Sequence, residues 1–469
     1  MFSDKEKDAA DLAPTYSRET NDVGDINNQT TDAVFGEISE DGPNYRNVGW
    51  IATSVLMMKT QIGLGVLSIP SALDTLGYIP GILSIVALAI ITGWSAYMVG
   101  AFKLRHPAVY GIDDTGALIF GKAGRIFFFG AFVLFWVFVG GSGMLGISIS
   151  LNAISTHGAC TAVFVAVAAV AGFLGGSIQT MSRISWLAWV GLAGILVALF
   201  TVTIAVGVQD RPASAPQEGP WKPDFKLFAS PSFAEAVAAE ASLVFAFCGT
   251  TAFFAIISEM RDPRLFTRSL VVCQSAVTAT YIVVGTVIYY YCGSYVASPA
   301  LGSAGVLVKK IAYGISLPGL LATTILSLHI LGKFIFVRSL SGSRHLSSNT
   351  VIHWVTWLGC VGGATLTSYV IASAIPVFGE LVSLIGALLG TLMSFQPMGC
   401  MWLYDNWTPR GGERNKRWYF MAAFSIFVIV SGTFLMVSGT YGSVVAIINS
   451  YNASGGSAAW SCADNSNSV

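Results

Sequence analysis

Eleven stretches of the chain are apolar for long enough to cross a bilayer and carry no clustered charge: 48–73, 78–101, 126–151, 160–178, 184–208, 234–258, 270–292, 315–337, 350–373, 376–402 and 418–440. The pattern predicts an all-α polytopic membrane protein. Two of the eleven are interrupted where a spanning helix should be continuous. The first reads MMKTQIGLGVLSIP over 57–70, with Gly63 and Gly65 at mid-depth and Pro70 near one end. The sixth reads LVFAFCGTTAFFAIISEM over 243–260, with Cys248, Gly249, Thr250 and Thr251 at mid-depth.

In hydrocarbon every backbone N–H and C=O needs a partner, so a mid-span glycine cluster persists where the freed groups face protein, water or ligand. Unwinding at Gly63, Leu64 and Gly65 would leave N–H groups and the positive end of a half-helix at the midplane, which suits a carboxylate. The break in the sixth span would supply carbonyls for an ammonium group, with Phe247, Phe253 and Phe254 as an apolar wall. Any one small-residue pair is explained by close helix packing, as with Gly140, Gly141, Gly143 and Gly146 in the third span. Breaks in two spans, five apart, point instead to a secondary transporter built from repeats.

Composition sharpens this picture. Of 469 residues 54% are apolar and 11% charged, with a mean hydropathy of +0.66, too little charge to solvate a soluble fold of this size. The net charge of zero hides an asymmetry. Residues 1–46 hold eleven Asp/Glu against four Lys/Arg, leaving fourteen acids and twenty-one bases beyond them. This stretch is expected to be a disordered acidic tail. No signal-peptide core follows Met1, so the first apolar segment is expected to be retained. With the N-terminus in the cytoplasm, fifteen Lys/Arg fall in inner loops and five in outer ones. The positive-inside bias therefore predicts a cytoplasmic N-terminus and an extracytoplasmic C-terminal tail, 441–469, where Asn452 opens a glycosylation triplet.

Cys248, Cys273, Cys360 and Cys400 lie in or beside spans and read as small packing residues. Cys160, Cys292 and Cys462 fall on the outer side, where one disulfide is expected, Cys160 with Cys292. GALIFGKA (116–123) nearly makes a phosphate loop, but Ala123 stands where a magnesium-binding hydroxyl belongs. HExxH, GxSxG and metal-ligand histidine spacings are absent from the sequence. Neither an enzyme, a metal or organic cofactor, nor a nucleic-acid partner is expected.

The stretch IGLGVLSIP (62–70), Tyr110-Gly111 followed by IFGKAGRIF (119–127), and SEMRDP (258–263) resemble the amino acid/auxin permease family. The resemblance covers most of 45–440 and looks closest to the N-type neutral amino acid permeases of filamentous fungi. It implies a LeuT-like five-plus-five inverted repeat, about 47–208 and 233–402, inside a transporter domain of 47–440, with an eleventh helix at about 418–440. It implies neutral amino acid uptake with a co-transported proton at the plasma membrane. Sodium coupling, a vacuolar membrane, and a transceptor whose tail recruits cytoplasmic regulators are the alternatives. Carried over residue by residue, Thr60, Gln61, Gly63, Gly65 and Val66 would hold the carboxylate. Phe247, Cys248, Gly249 and Thr250 would hold the amino group and side chain. Ser142 and Gly143 of the third span, with Thr323 and Ser327 of the eighth, pass the site. In sodium-coupled relatives the ion sits between the first and eighth spans, so hydroxyls at Thr323, Thr324 and Ser327 leave sodium open.

Ionisable groups inside spans cost about 2.5–3.5 kcal/mol each on insertion scales and need a reason to be there. Lys59, Glu240, Glu380 and His329 are the candidates for carrying the coupling proton, each weighed against a snorkelling, gating or packing role. Glu259, beside Arg261 and Asp262, is expected to latch the inner end of the sixth span.

Overall fold

The computed structural model describes residues 31–32, 36–37, 46–212, 214–346, 348–375, 378–408, 414–454 and 460–466. The acidic tail, with any regulator it would recruit, lies outside the described residues except for Arg46 and an antiparallel pair of two-residue strands, Thr31–Asp32 against Gly36–Glu37. Everything else regular among the described residues is helical. Ten helical segments among the described residues are long and apolar enough to cross a membrane. An eleventh apolar helix, Thr161–Gly176, has 16 residues, about 24 Å at helical rise.

The first span consists of α1 (Trp50–Gln61), a 3-10 turn at Gly65–Ser68 and α2 (Ile69–Leu76). Pro70 sits in the first turn of α2, where its missing N–H breaks nothing. Gly77, at φ +92°, turns the chain into α3 (Tyr78–Arg105). A Cβ there would stand 2.5 Å from the Ala229 nitrogen, because the loop 226–229 lies against this turn through Tyr78 N to Lys226 O (2.9 Å) and Ile79 N to Leu227 O (3.0 Å). The long α4 (Ile112–Ser155) bends at Gly121, φ +70°, so the expected third span is preceded by a helical arm that includes the near-miss phosphate loop. Helices α5 (Thr161–Gly176) and α6 (Met181–Val208) complete the first half.

The second half opens with α7 (Phe233–Phe247), capped by Ser232 and Glu235 in a reciprocal capping box. A 3-10 turn, Cys248–Ala252, separates it from α8 (Phe253–Ser258). Then come α9 (Phe266–Cys292), α10 (Val306–Ser339) and α11 (Val351–Ala374). The tenth span is itself irregular: α12 (Phe378–Leu384), a π-helical turn Ile385–Gly390, α13 (Thr391–Ser394) and α14 (Gln396–Asn406). Gly386 and Gly390 let this turn press on α7 and on the second break. A Cβ at Gly386 would overlap the Ala241 carbonyl, and one at Gly390 would overlap the Cys248 sulfur. The last helix, α15 (Lys416–Ser454), outruns the expected span because the sequence stays largely apolar through Ile448. Asn452 is exposed in its final turn.

The expected Cys160 to Cys292 disulfide is corrected: Cys160 bonds Cys462, and Cys292 is a free thiol with no accessible surface. The tail folds back over the start of α5, where Thr161 Oγ1 donates to the Ala463 carbonyl (2.7 Å). Asn465 exchanges hydrogen bonds with Asn152 (2.7 Å) and Ser148 (3.0 Å). These contacts bring Cys462 to Cys160, whereas the packing around the end of α9 encloses Cys292.

Candidate functional site

The two interrupted helices meet backbone to backbone. A Cβ at Gly65 would overlap the main chain of Ala246, and one at Gly249 would stand 2.5 Å from Gln61 Cγ and 2.6 Å from Thr60 Oγ1. Glycine is required at both positions because the neighbour is the facing break. Thr60 turns its hydroxyl to the Met57 carbonyl (2.8 Å). Gln61 donates through Nε2 to the Cys273 sulfur (3.4 Å).

Lys59 is fully buried one turn before the first break. Its ammonium donates to the Ile62 carbonyl (3.1 Å) and to Thr323 Oγ1 (2.6 Å). The Thr323 hydroxyl in turn donates to Gly319 O (3.1 Å). A carbonyl freed by the break and a hydroxyl from α10 thus form a cation seat filled by the protein's own ammonium. Gly63 fits beneath it, since a Cβ would lie 2.9 Å from Thr323 Oγ1.

Beside this seat is a cavity of about 30 Å³. Of the expected residues, Lys59, Thr60, Gln61, Gly65, Cys248, Thr323 and Ser327 line it. Gly63, Val66, Ser142, Phe247, Gly249 and Thr250 do not reach its surface. Gly63 and Gly249 instead allow the close contacts just described. Ser142 turns its hydroxyl to Val139 O (2.9 Å), and Phe247 lies edge-on to Tyr281 at 5.0 Å between ring centroids. The other walls are Leu64, from the stretch expected to unwind, and Phe135, Trp136, Val139, Phe245 and Leu326, which were not among the expected site residues. A signal for some was present: Phe135 and Val139 fall seven and three residues before Ser142, and Phe245 three before Cys248, all one-face helical spacings.

The other ionisable candidates stand elsewhere. Glu240 accepts a hydrogen bond from Ser84 of α3. Glu380 faces Ser450 of α15. His329 is fully buried, edge-on to Trp357 of α11 at 5.5 Å. Glu259 pairs with Lys333 of α10, both buried, and also accepts from Met181 N (3.2 Å). At the same end Val48 N donates to Glu259 O (3.1 Å) and Arg261 N to Val48 O (2.9 Å), joining the ends of the first and sixth spans.

Residues 46–445 match the family described as transmembrane amino acid transporter protein. The chain belongs to that family. Among relatives of this transporter, a "Transmembrane transporter" of Gibberella moniliformis is 34% identical over 436 residues, 93% of this chain and 91% of that one. The "N amino acid transport system protein" of Neurospora crassa is 31% identical over 438 residues, 91% of each. Among solved structures, a Na+-coupled sialic acid symporter in a substrate-bound, outward-open state aligns with a TM-score of 0.54 over 87% of this chain and 92% of that one. At 12% identity the likeness shows a shared fold. Family and relatives are transporters, not enzymes, and the amino acid transporter is a multi-pass membrane protein.

Proposed function

We propose that this transporter imports neutral amino acids by proton symport, moving between outward- and inward-open states around the paired breaks. The observation that carries the reading is the Lys59 ammonium, held at the first break by the Ile62 carbonyl and Thr323 hydroxyl beside the cavity. A fixed ammonium in the cation seat leaves no vacancy there for a sodium ion, and it is a group that can gain and lose a proton. The remaining lining is apolar or carries hydroxyl, amide and thiol groups, with no carboxylate to hold a cationic side chain. That favours neutral aliphatic and aromatic substrates, in keeping with the name of the Neurospora relative.

The cavity is far below the roughly 300–1,000 Å³ of ordinary ligand sites, so substrate needs an opened state. Breaks five spans apart support the inverted-repeat reading. A disulfide on the C-terminal tail supports an extracytoplasmic position for that end.

The test is uptake of labelled leucine, phenylalanine, lysine and glutamate by the purified protein in liposomes, under an imposed pH gradient and then a sodium gradient. Leucine and phenylalanine uptake that follows the pH gradient and collapses with an uncoupler is expected. Dependence on sodium would replace the proton, and failure to take up any of the four would favour a signalling role. A tagged copy in cells separates plasma from vacuolar membrane.

A further inference from the structure

Behind the cavity wall, two freed carbonyls meet one hydroxyl. Tyr281 lies in the middle of α9 with no accessible surface. Its hydroxyl oxygen stands 2.8 Å from the carbonyl oxygen of Gln61 and 2.7 Å from that of Ala246. Gln61 is the last residue of α1 and Ala246 the last but one of α7. Both carbonyls therefore belong to final turns, whose acceptors have no regular partner along the helix. A phenol carries one proton. It serves one carbonyl at a time, and the other then faces oxygen lone pairs at hydrogen-bond distance.

We propose that Tyr281 is a positioning residue that fastens the two breaks to a common pivot and thereby sets the binding cavity. The inference rests on the transport reading above. Gln61 is the link. It lines the cavity, its side chain is tied to Cys273 and its backbone to Tyr281, both on α9, and its Cγ lies against Gly249 of the facing break. Losing the hydroxyl removes the one donor that the two carbonyls share, and the walls carrying Gln61 and Cys248 shift with them.

Tyr289 supplies the matched control. It lies two turns along the same helix, is equally buried, and accepts a hydrogen bond from Lys226 N (2.9 Å), away from both breaks. Tyr281→Phe keeps the ring against Phe247. It is expected to raise the leucine KM about tenfold, the scale of one lost hydrogen bond, with the maximal rate per surface copy within about twofold. Tyr289→Phe is expected to leave KM unchanged. Alkylation of the native Cys248 by N-ethylmaleimide, followed by peptide mass spectrometry, is expected to speed up about fivefold in Tyr281→Phe alone, as its shielding loosens. An unchanged KM and unchanged Cys248 reactivity in Tyr281→Phe, or equal changes in both variants, overturns the proposal. If Tyr281→Phe does not reach the membrane, 3-fluorotyrosine at position 281 keeps ring and hydroxyl while strengthening the donor. It should slow Cys248 alkylation at least about twofold, and an unchanged rate again overturns the proposal. Should the wild type transport nothing, the transport reading fails, while the Cys248 readout still decides on Tyr281.

Discussion

Lys333 of α10 and Glu259 at the end of the sixth span form an ion pair in which each side chain is 1% exposed. With the other contacts of Glu259, four chain segments converge here: the residues just before α1, the start of α6, the end of α8 and the last two turns of α10. Breaking such a pair from one side leaves an uncompensated buried charge, which costs about 3–5 kcal/mol. Glu259→Gln and Lys333→Met should each reduce surface protein and lower the melting temperature in detergent. The double variant Glu259→Met with Lys333→Met should regain most of the loss. A double variant as unstable as the singles would show that the pair is not the origin of the effect.

Glycine substitutions should rank by what a new methyl group meets. Gly65→Ala drives into the Ala246 backbone, which cannot swing aside, whereas Gly249→Ala meets the side chains of Gln61 and Thr60. At Gly363 nothing lies within 4 Å. Overpacking costs about 1–3 kcal/mol, so uptake should fall at least about tenfold for Gly65→Ala, less for Gly249→Ala, and not at all for Gly363→Ala. Uptake normalised to surface abundance checks the order, and a Gly65→Ala protein transporting normally would remove the breaks from the mechanism.

At the cation seat, Thr323→Ala takes away a hydroxyl that accepts from a buried ammonium, a bond worth about 1.5–3 kcal/mol, while Thr323→Ser restores it. Uptake should drop at least about tenfold in the first variant and recover in the second. Lys59→Met should abolish accumulation driven by a pH gradient while exchange of labelled for unlabelled leucine persists. Accumulation that still follows the pH gradient in Lys59→Met would assign the proton to another group.

Cys160→Ser and Cys462→Ser should behave alike, each losing about 2–5 kcal/mol of stability, while Cys292→Ser leaves the disulfide intact. Cleavage of a loop between residues 160 and 462 should leave the fragments joined on a non-reducing gel for the wild type and Cys292→Ser. Fragments that separate without reductant in the wild type would refute the Cys160 to Cys462 pairing.

The helices were legible because a bilayer demands long apolar runs, and the two breaks because Gly63, Gly65 and Gly249 sit where nothing but a special environment tolerates them. The irregular tenth span was not, since Gly386 and Gly390, four residues apart, read equally well as a packing pair. Aromatic walls were hidden for a related reason. Phe135 is 2% exposed and lines the cavity whereas Phe127 is 55% exposed, yet in an apolar helix both satisfy the same hydropathy. The cost of charge inside a membrane singled out Lys59, Glu240, Glu380 and His329, but facing is a tertiary property, and among these Lys59 is the one that lines the cavity. Cys462 sits in a polar tail whose pattern says nothing about where it folds back.

A cavity of about 30 Å³ has room for a few water molecules at about 10–15 Å³ each, not for an amino acid. Met57, on one side of the first break, and Leu67 and Ile69, on the other, are at most 1% exposed. An amino acid side chain cannot pass such packing until these residues part, so a molecule resting in this form is a closed turnstile, and every copy must rearrange once for each passenger it admits.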